Sequence, residues 1–109
     1  MNRTRSKVAL SALIVMTLGG AARAGDSQQI SIQLGSLIGS EGYCSLSYDQ
    51  DAIQQYILKR VSPDDLDFAE NLDTFTTATI YENEKRSASA KTAHCAQTTR
   101  VAKSLGFIP

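Results

Sequence analysis

Ala88-Ser89-Ala90-Lys91-Thr92-Ala93-His94-Cys95-Ala96-Gln97-Thr98-Thr99-Arg100-Val101-Ala102-Lys103-Ser104-Leu105-Gly106-Phe107 is the stretch on which the fold turns. It reads as a helix. Ser87 or Ser89 can cap its start, and Cys95, Thr98, Val101, Ala102 and Leu105 recur at the spacing of one helical face. Gly106 followed by Phe107 has the pattern of a left-handed cap with its apolar contact. The inner face carries one of the chain's two cysteines, and the other, Cys44, lies near the opposite end of the folded part. A bond between them would enclose the whole middle of the chain in one loop.

Whether such a bond persists depends on the compartment. Arg3, Arg5 and Lys7 precede an apolar run from Val8 to Leu18, and Ala22-Arg23-Ala24 has the small-x-small form of a cleavage site. This is the pattern of a secretory signal over residues 1–24. A spanning helix needs about 20 apolar residues, and Gly19, Gly20 and Arg23 end this run early. No cysteine stands at the cut to accept a lipid. The expectation is a periplasmic or secreted chain starting near Gly25, with no stable membrane insertion after cleavage. There Cys44 and Cys95 pair as a structural disulfide, and closing a loop of about 50 residues would stabilise the fold by roughly 4 kcal/mol. Residues 25–109 form a single domain, small enough that an apolar core alone is marginal.

The remaining helices follow from spacing and caps. Asp26 or Ser27 can start a first helix in which Ile30, Leu34, Leu37 and Ile38 share a face. Ile30, Ile32 and Leu34 also alternate, which leaves a short strand as the other reading. Gly39 and Gly42 end the element, and the connection from Glu41 to Tyr48 contains Cys44. Ser47 or Asp49 caps the next helix, with Asp51 at its positive end, Lys59 and Arg60 at its negative end, and Ile53, Tyr56, Ile57 and Val61 inward. Ser62-Pro63-Asp64-Asp65 has the form of a helix start: a cap, a proline at the first position and an acid at the third. From there Phe68, Leu72, Phe75 and Thr79 form a stripe, flanked by Ala69, Thr76 and Ile80, in a helix running to about Lys85. The fold class is therefore all-α, a small bundle of about four helices stapled by one disulfide.

Charge excludes some partners. The full chain balances eleven basic residues against eleven acids, but four of the basic ones lie in the signal, leaving seven against eleven, a net −4. The first half is acidic and the second mildly basic, without a run of five like charges, so no nucleic-acid partner is expected.

The chemistry-bearing residues do not assemble into a site. His94-Cys95 is the one pair that could bind a metal or act as base and nucleophile. Adjacent helical residues diverge by about 100°, the chain has one histidine, and a disulfide leaves no thiolate. The cysteine spacing does not fit haem attachment, and both methionines, Met1 and Met16, leave with the signal. Asp64, Asp65, Asp67, Glu70 and Asp73 have no glycine among them for a calcium loop, and their opening members suit a helix start. The serines lack a nucleophile elbow, and Gly35, Gly39 and Gly42 lack the Lys-Ser/Thr ending of a phosphate loop, so the glycines read as close helix packing and a loop. No catalytic residue, cofactor or metal ligand is assigned, and the chain is not expected to be an enzyme.

Two segments, Gly42-Tyr43-Cys44-Ser45-Leu46-Ser47-Tyr48-Asp49-Gln50-Asp51-Ala52-Ile53 and Lys91-Thr92-Ala93-His94-Cys95 through Leu105-Gly106-Phe107, resemble a group of short secreted, uncharacterised proteins of alphaproteobacteria, especially rhizobia. Some of these carry the label "signal recognition particle". That label conflicts with the residues here, which include no GTPase phosphate loop and no methionine-rich domain. The resemblance implies lineage and compartment and supplies no catalytic residue. At the level of fold alone, the chain is similar to small periplasmic acid-stress chaperones of the HdeA type, which are helical and held by one disulfide. The functional expectation is a small non-enzymatic binding or interaction protein of the bacterial envelope, with an unidentified envelope protein as its possible partner. The alternatives are an acid-stress chaperone of that type and a small-molecule or metal carrier that uses a crevice beside His94.

Overall fold

The computed structural model describes residues 27–109, so the expected signal and the cap position Asp26 lie outside the described residues. Those residues form four helices and no strand, with Cys44 bonded to Cys95. We number them α1 (27–39), α2 (Gln50–Arg60), α3 (Phe68–Asn83) and α4 (Ala88–Ser104).

α1 is the central element. Ser31, Leu34, Gly35, Leu37 and Gly39 are all buried along it, so the strand-like alternation of Ile30, Ile32 and Leu34 is overridden by a helix packed on more than one side. The glycines set how close its neighbour comes. A Cβ on Gly35 would stand 2.8 Å from Cβ of Phe75, and one on Gly39 would stand 2.8 Å from both the carbonyl oxygen of Thr76 and Cβ of Thr79. Backbone therefore meets backbone between α1 and α3. Gly39→Ala is expected to lose about 1–3 kcal/mol through overpacking, more than Ala's helix propensity returns at the end of a helix. Gly42→Ala, with nothing within 4 Å of its added methyl, should stay within about 0.5 kcal/mol of the parent. Urea unfolding of the two variants checks this, and equal midpoints would show that α1 and α3 can part without loss.

The caps of α2 and α4 follow the sequence. Asp49 accepts from the amides of Asp51 (3.0 Å) and Ala52 (3.4 Å), and Ser87 accepts from Ala90 (3.2 Å). At the end of α4, Gly106 takes φ +81°. Its amide donates to Lys103 (3.1 Å) while that of Phe107 donates to Ala102 (2.9 Å), the paired bonds of a Schellman cap. This turn drives Phe107 into the core, where it joins Leu34, Leu37, Tyr48, Ile53, Phe68 and Ala102.

α3 departs from expectation at its start. Ser62-Pro63-Asp64-Asp65 forms a turn instead of a first helical turn: Ser62 Oγ accepts from the amide of Asp64 (3.3 Å) and its carbonyl from that of Asp65 (3.0 Å). The helix begins at Phe68, and its N-cap Asp67 makes no side-chain capping bond. The physical reason is a tie across the fold. Asp65 accepts a hydrogen bond from Ser27 Oγ at the start of α1, which holds the segment out of the helical path. Leu66 is left 86% exposed by the same course. The inner stripe of Phe68, Leu72, Phe75 and Thr79 holds, with Thr76 beside it. Ile80 and Ala69 face outward, and the stripe ends on the buried Asn83, two residues short of Lys85.

Candidate functional site

The Cys44–Cys95 bond, with Cα atoms 5.4 Å apart, pins the loop after α1 to the middle of α4. Beside it, three helices share a chain of polar groups. His94 Nε2 lies 2.8 Å from Ser40 Oγ and 3.5 Å from Thr98 Oγ1. Asn83 Nδ2 donates to Ser40 Oγ (3.1 Å) and to the carbonyl of Gly39 (3.4 Å), and its Oδ1 accepts from Arg86 Nε (2.9 Å). Because the Asn83 amide already donates to Ser40, the hydroxyl proton of Ser40 is left for His94. Nε2 is thereby assigned as an acceptor and Nδ1 as the protonated nitrogen.

Ser40 and His94 thus make the contact of a nucleophile with its base. Their setting removes that use: Ser40 is 0% exposed, so no substrate carbon can reach its oxygen. The pair is a structural joint.

Burial, with the positive charge of Arg86 as the second cause, holds the His94 imidazole below its ordinary pKa of 6.5. The sign of the stability effect follows. The unfolded chain takes up the proton near 6.5 while the folded chain resists it, so stability is full above that pH. It falls as pH drops from there through the lowered folded value. His94→Gln keeps an acceptor near the place of Nε2 and does not titrate. Between about pH 7 and pH 5 the wild-type urea midpoint is expected to fall relative to that of His94→Gln. Parallel midpoints would refute the assignment.

His94 also forms one end of an open groove between α1 and α4. The groove has a volume of about 590 Å³ and carries Ile32, Leu37, Tyr56, Val101 and Leu105 along its apolar surface. Gln33 and Gln97 are exposed residues of its lining, which contains no charged side chain. The sequence reading placed a crevice beside His94 and assigned no residue to it. Ile32, Gln33 and Gln97 carry no sequence signal as lining, because the groove arises from the spacing of two helices that do not close over it. Asn83 was legible in principle, since it continues the stripe of Phe68, Leu72 and Thr79 by one further turn.

The acids weighed as a calcium loop or helix start do not gather at this groove. Asp64 and Asp65 lie in the turn before α3, not in its first turn, and Asp65 is engaged by Ser27. Tyr43 lies under the Lys91 ammonium at 4.6 Å, and Tyr81 is exposed beside Lys85. Tyr48 is buried, donates to the carbonyl of Leu37 (2.9 Å), and has its pKa pushed up to about 12 by burial and by Glu41. Among the described residues no three His, Cys, Asp or Glu side chains are grouped to hold a metal ion, and no helix is long and apolar enough to cross a membrane. No protein-family model, curated protein or solved structure matches this chain.

Proposed function

We propose that this is a small exported, non-enzymatic binding protein of the bacterial envelope, and that it binds its ligand in the groove between α1 and α4. The observation that carries the reading is the groove itself: about 590 Å³, apolar, uncharged and open, within the size range of small-molecule sites. It favours a small-molecule carrier over a docking module for another protein. The signal pattern and the disulfide support export. The burial of Ser40 supports the non-enzymatic reading, since the one base and hydroxyl in contact are closed to substrate.

Native mass spectrometry of the protein purified from the periplasm tests the reading. The expected spectrum is a mature monomer that gains two mass units on reduction and carries a ligand, with the ligand lost in Ile32→Glu. Ligand retained unchanged by that variant places binding elsewhere and sinks the groove reading.

One observation favours a second reading, an acid-stress chaperone. The joint of Ser40, Asn83 and His94 ties three helices through an imidazole held neutral, and acid protonates it. That version predicts that an apolar dye binds and client aggregation is suppressed at about pH 3 and not at neutral pH. No change between the two conditions eliminates it.

A further inference from the structure

Tyr56 and Leu105 line both this groove and a second depression of about 380 Å³, which adjoins it where α2 and α4 end and has Lys59 and Arg60 on its wall. The Arg60 guanidinium lies over the Tyr56 ring at 4.7 Å from the centroid, which holds its charge at the junction of the two cavities. Among the described residues, neither Lys59 nor Arg60 has a carboxylate within 4.0 Å, and no acid lines either cavity.

These two cations also face the negative end of α2, which amounts to about half a charge. Two full positive charges exceed that, so a positive balance remains for a ligand. The last carbonyls of α4 contribute little against it, since the amides of Gly106 and Phe107 already occupy those of Lys103 and Ala102. At the opposite end, His94 is held neutral. The surface is therefore polarised along its length: apolar between α1 and α4, and cationic at one end only.

We infer that this surface binds an amphipathic anion, an unbranched acyl chain lying between α1 and α4 with its carboxylate at Lys59 and Arg60. Two adjoining open depressions suit a flexible chain, which follows them without demanding a closed shape. The exposed amides of Gln33 and Gln97 can stay in water while their stems extend the apolar wall. An uncharged chain would leave the two cations unused, and a cationic head would be repelled by them. The inference rests on the binding-protein reading and adds to it the chemical class of the ligand and the end at which its head sits.

The test is an NMR titration of the oxidised protein with dodecanoate below its micelle concentration, with dodecanol and dodecyltrimethylammonium as the uncharged and cationic counterparts. Dodecanoate is expected to bind saturably, one per chain, shifting resonances of Ile32, Val101 and Leu105. The double variant Lys59→Glu/Arg60→Glu should weaken it at least about tenfold while the protein stays folded, with the urea midpoint lowered because two acids then face the negative end of α2. Lys91→Glu, away from both cavities, should leave it unaltered. Dodecanol should bind at least about tenfold more weakly than dodecanoate. Dodecanol binding as tightly as dodecanoate overturns the anion assignment and leaves the groove reading standing, as does binding that ignores the double reversal. No shift in the groove with any of the three amphiphiles overturns both. Binding to phosphatidylglycerol vesicles with free dodecanoate inert overturns the proposal in favour of a membrane surface.

Discussion

Replacing both cysteines, Cys44→Ser with Cys95→Ser, is expected to lower stability by about 4 kcal/mol, the chain-entropy value for a loop of this length. The bond spans a sequence separation of 51 and encloses the whole of α2 and α3. Without it the unfolded chain regains the freedom of that loop. For a domain of this size each kcal/mol moves the melting temperature by about 4–8 °C, so a fall of roughly 15–30 °C should be seen by circular dichroism. The effect is large relative to the whole because the core is small. Of its seven buried apolar residues one is an alanine and one a tyrosine whose hydroxyl needs a partner. Reduction of the wild type should reproduce the double variant, since both remove the same cross-link. A loss below about 1 kcal/mol in both would mean that the unfolded chain is already compact around this loop, and that the staple serves register instead of stability.

Much of this architecture was legible because its causes are local. Asp49 and Ser87 cap their helices through their own neighbours, and Gly106-Phe107 closes α4 through bonds within six residues. The pairing of Cys44 with Cys95 followed from the cysteine count and the expected compartment. What was not legible depends on contacts distant in sequence. Ser62-Pro63-Asp64-Asp65 carries sound helix-start chemistry, but that chemistry also closes a turn, and Ser27, 38 residues away, selects the turn. Ser40 and His94 are 54 positions apart and meet where the disulfide pins the loop after α1 to α4. Gly35 and Gly39 were read as close packing without a partner, and α3 supplies it. The groove is the extreme case, since it consists of what two helices leave unfilled. Lys59 and Arg60 were read as complements to the α2 dipole. Their place on the wall of a depression becomes visible only when Leu105 of α4 is seen to line it together with Tyr56.

Phe107→Ala should cost about 3–5 kcal/mol, the range for deleting a buried aromatic ring. Phe107 is 0% exposed and lies between two tyrosines, 5.8 Å from the Tyr48 ring and 5.7 Å, edge-on, from Tyr56. Its backbone is engaged on both sides: the amide closes the α4 cap, and the carbonyl accepts from Asp49 at 2.8 Å, joining the end of α4 to the start of α2. The alanine variant keeps these backbone bonds, so its loss reports the ring alone. Phe107→Leu retains most of the volume and should lose less than about 1.5 kcal/mol. Urea unfolding with an unchanged slope and a lowered midpoint is the expected signature in both. A total stability for so small a domain lies near the low end of about 5–15 kcal/mol. The alanine variant should therefore stay folded only while Cys44–Cys95 is intact, and unfold on reduction at a temperature where the reduced wild type still holds. If the reduced alanine variant melts with the reduced wild type, the ring contributes nothing beyond what α4 and the tyrosines supply without it. The core would then be organised around α1 alone.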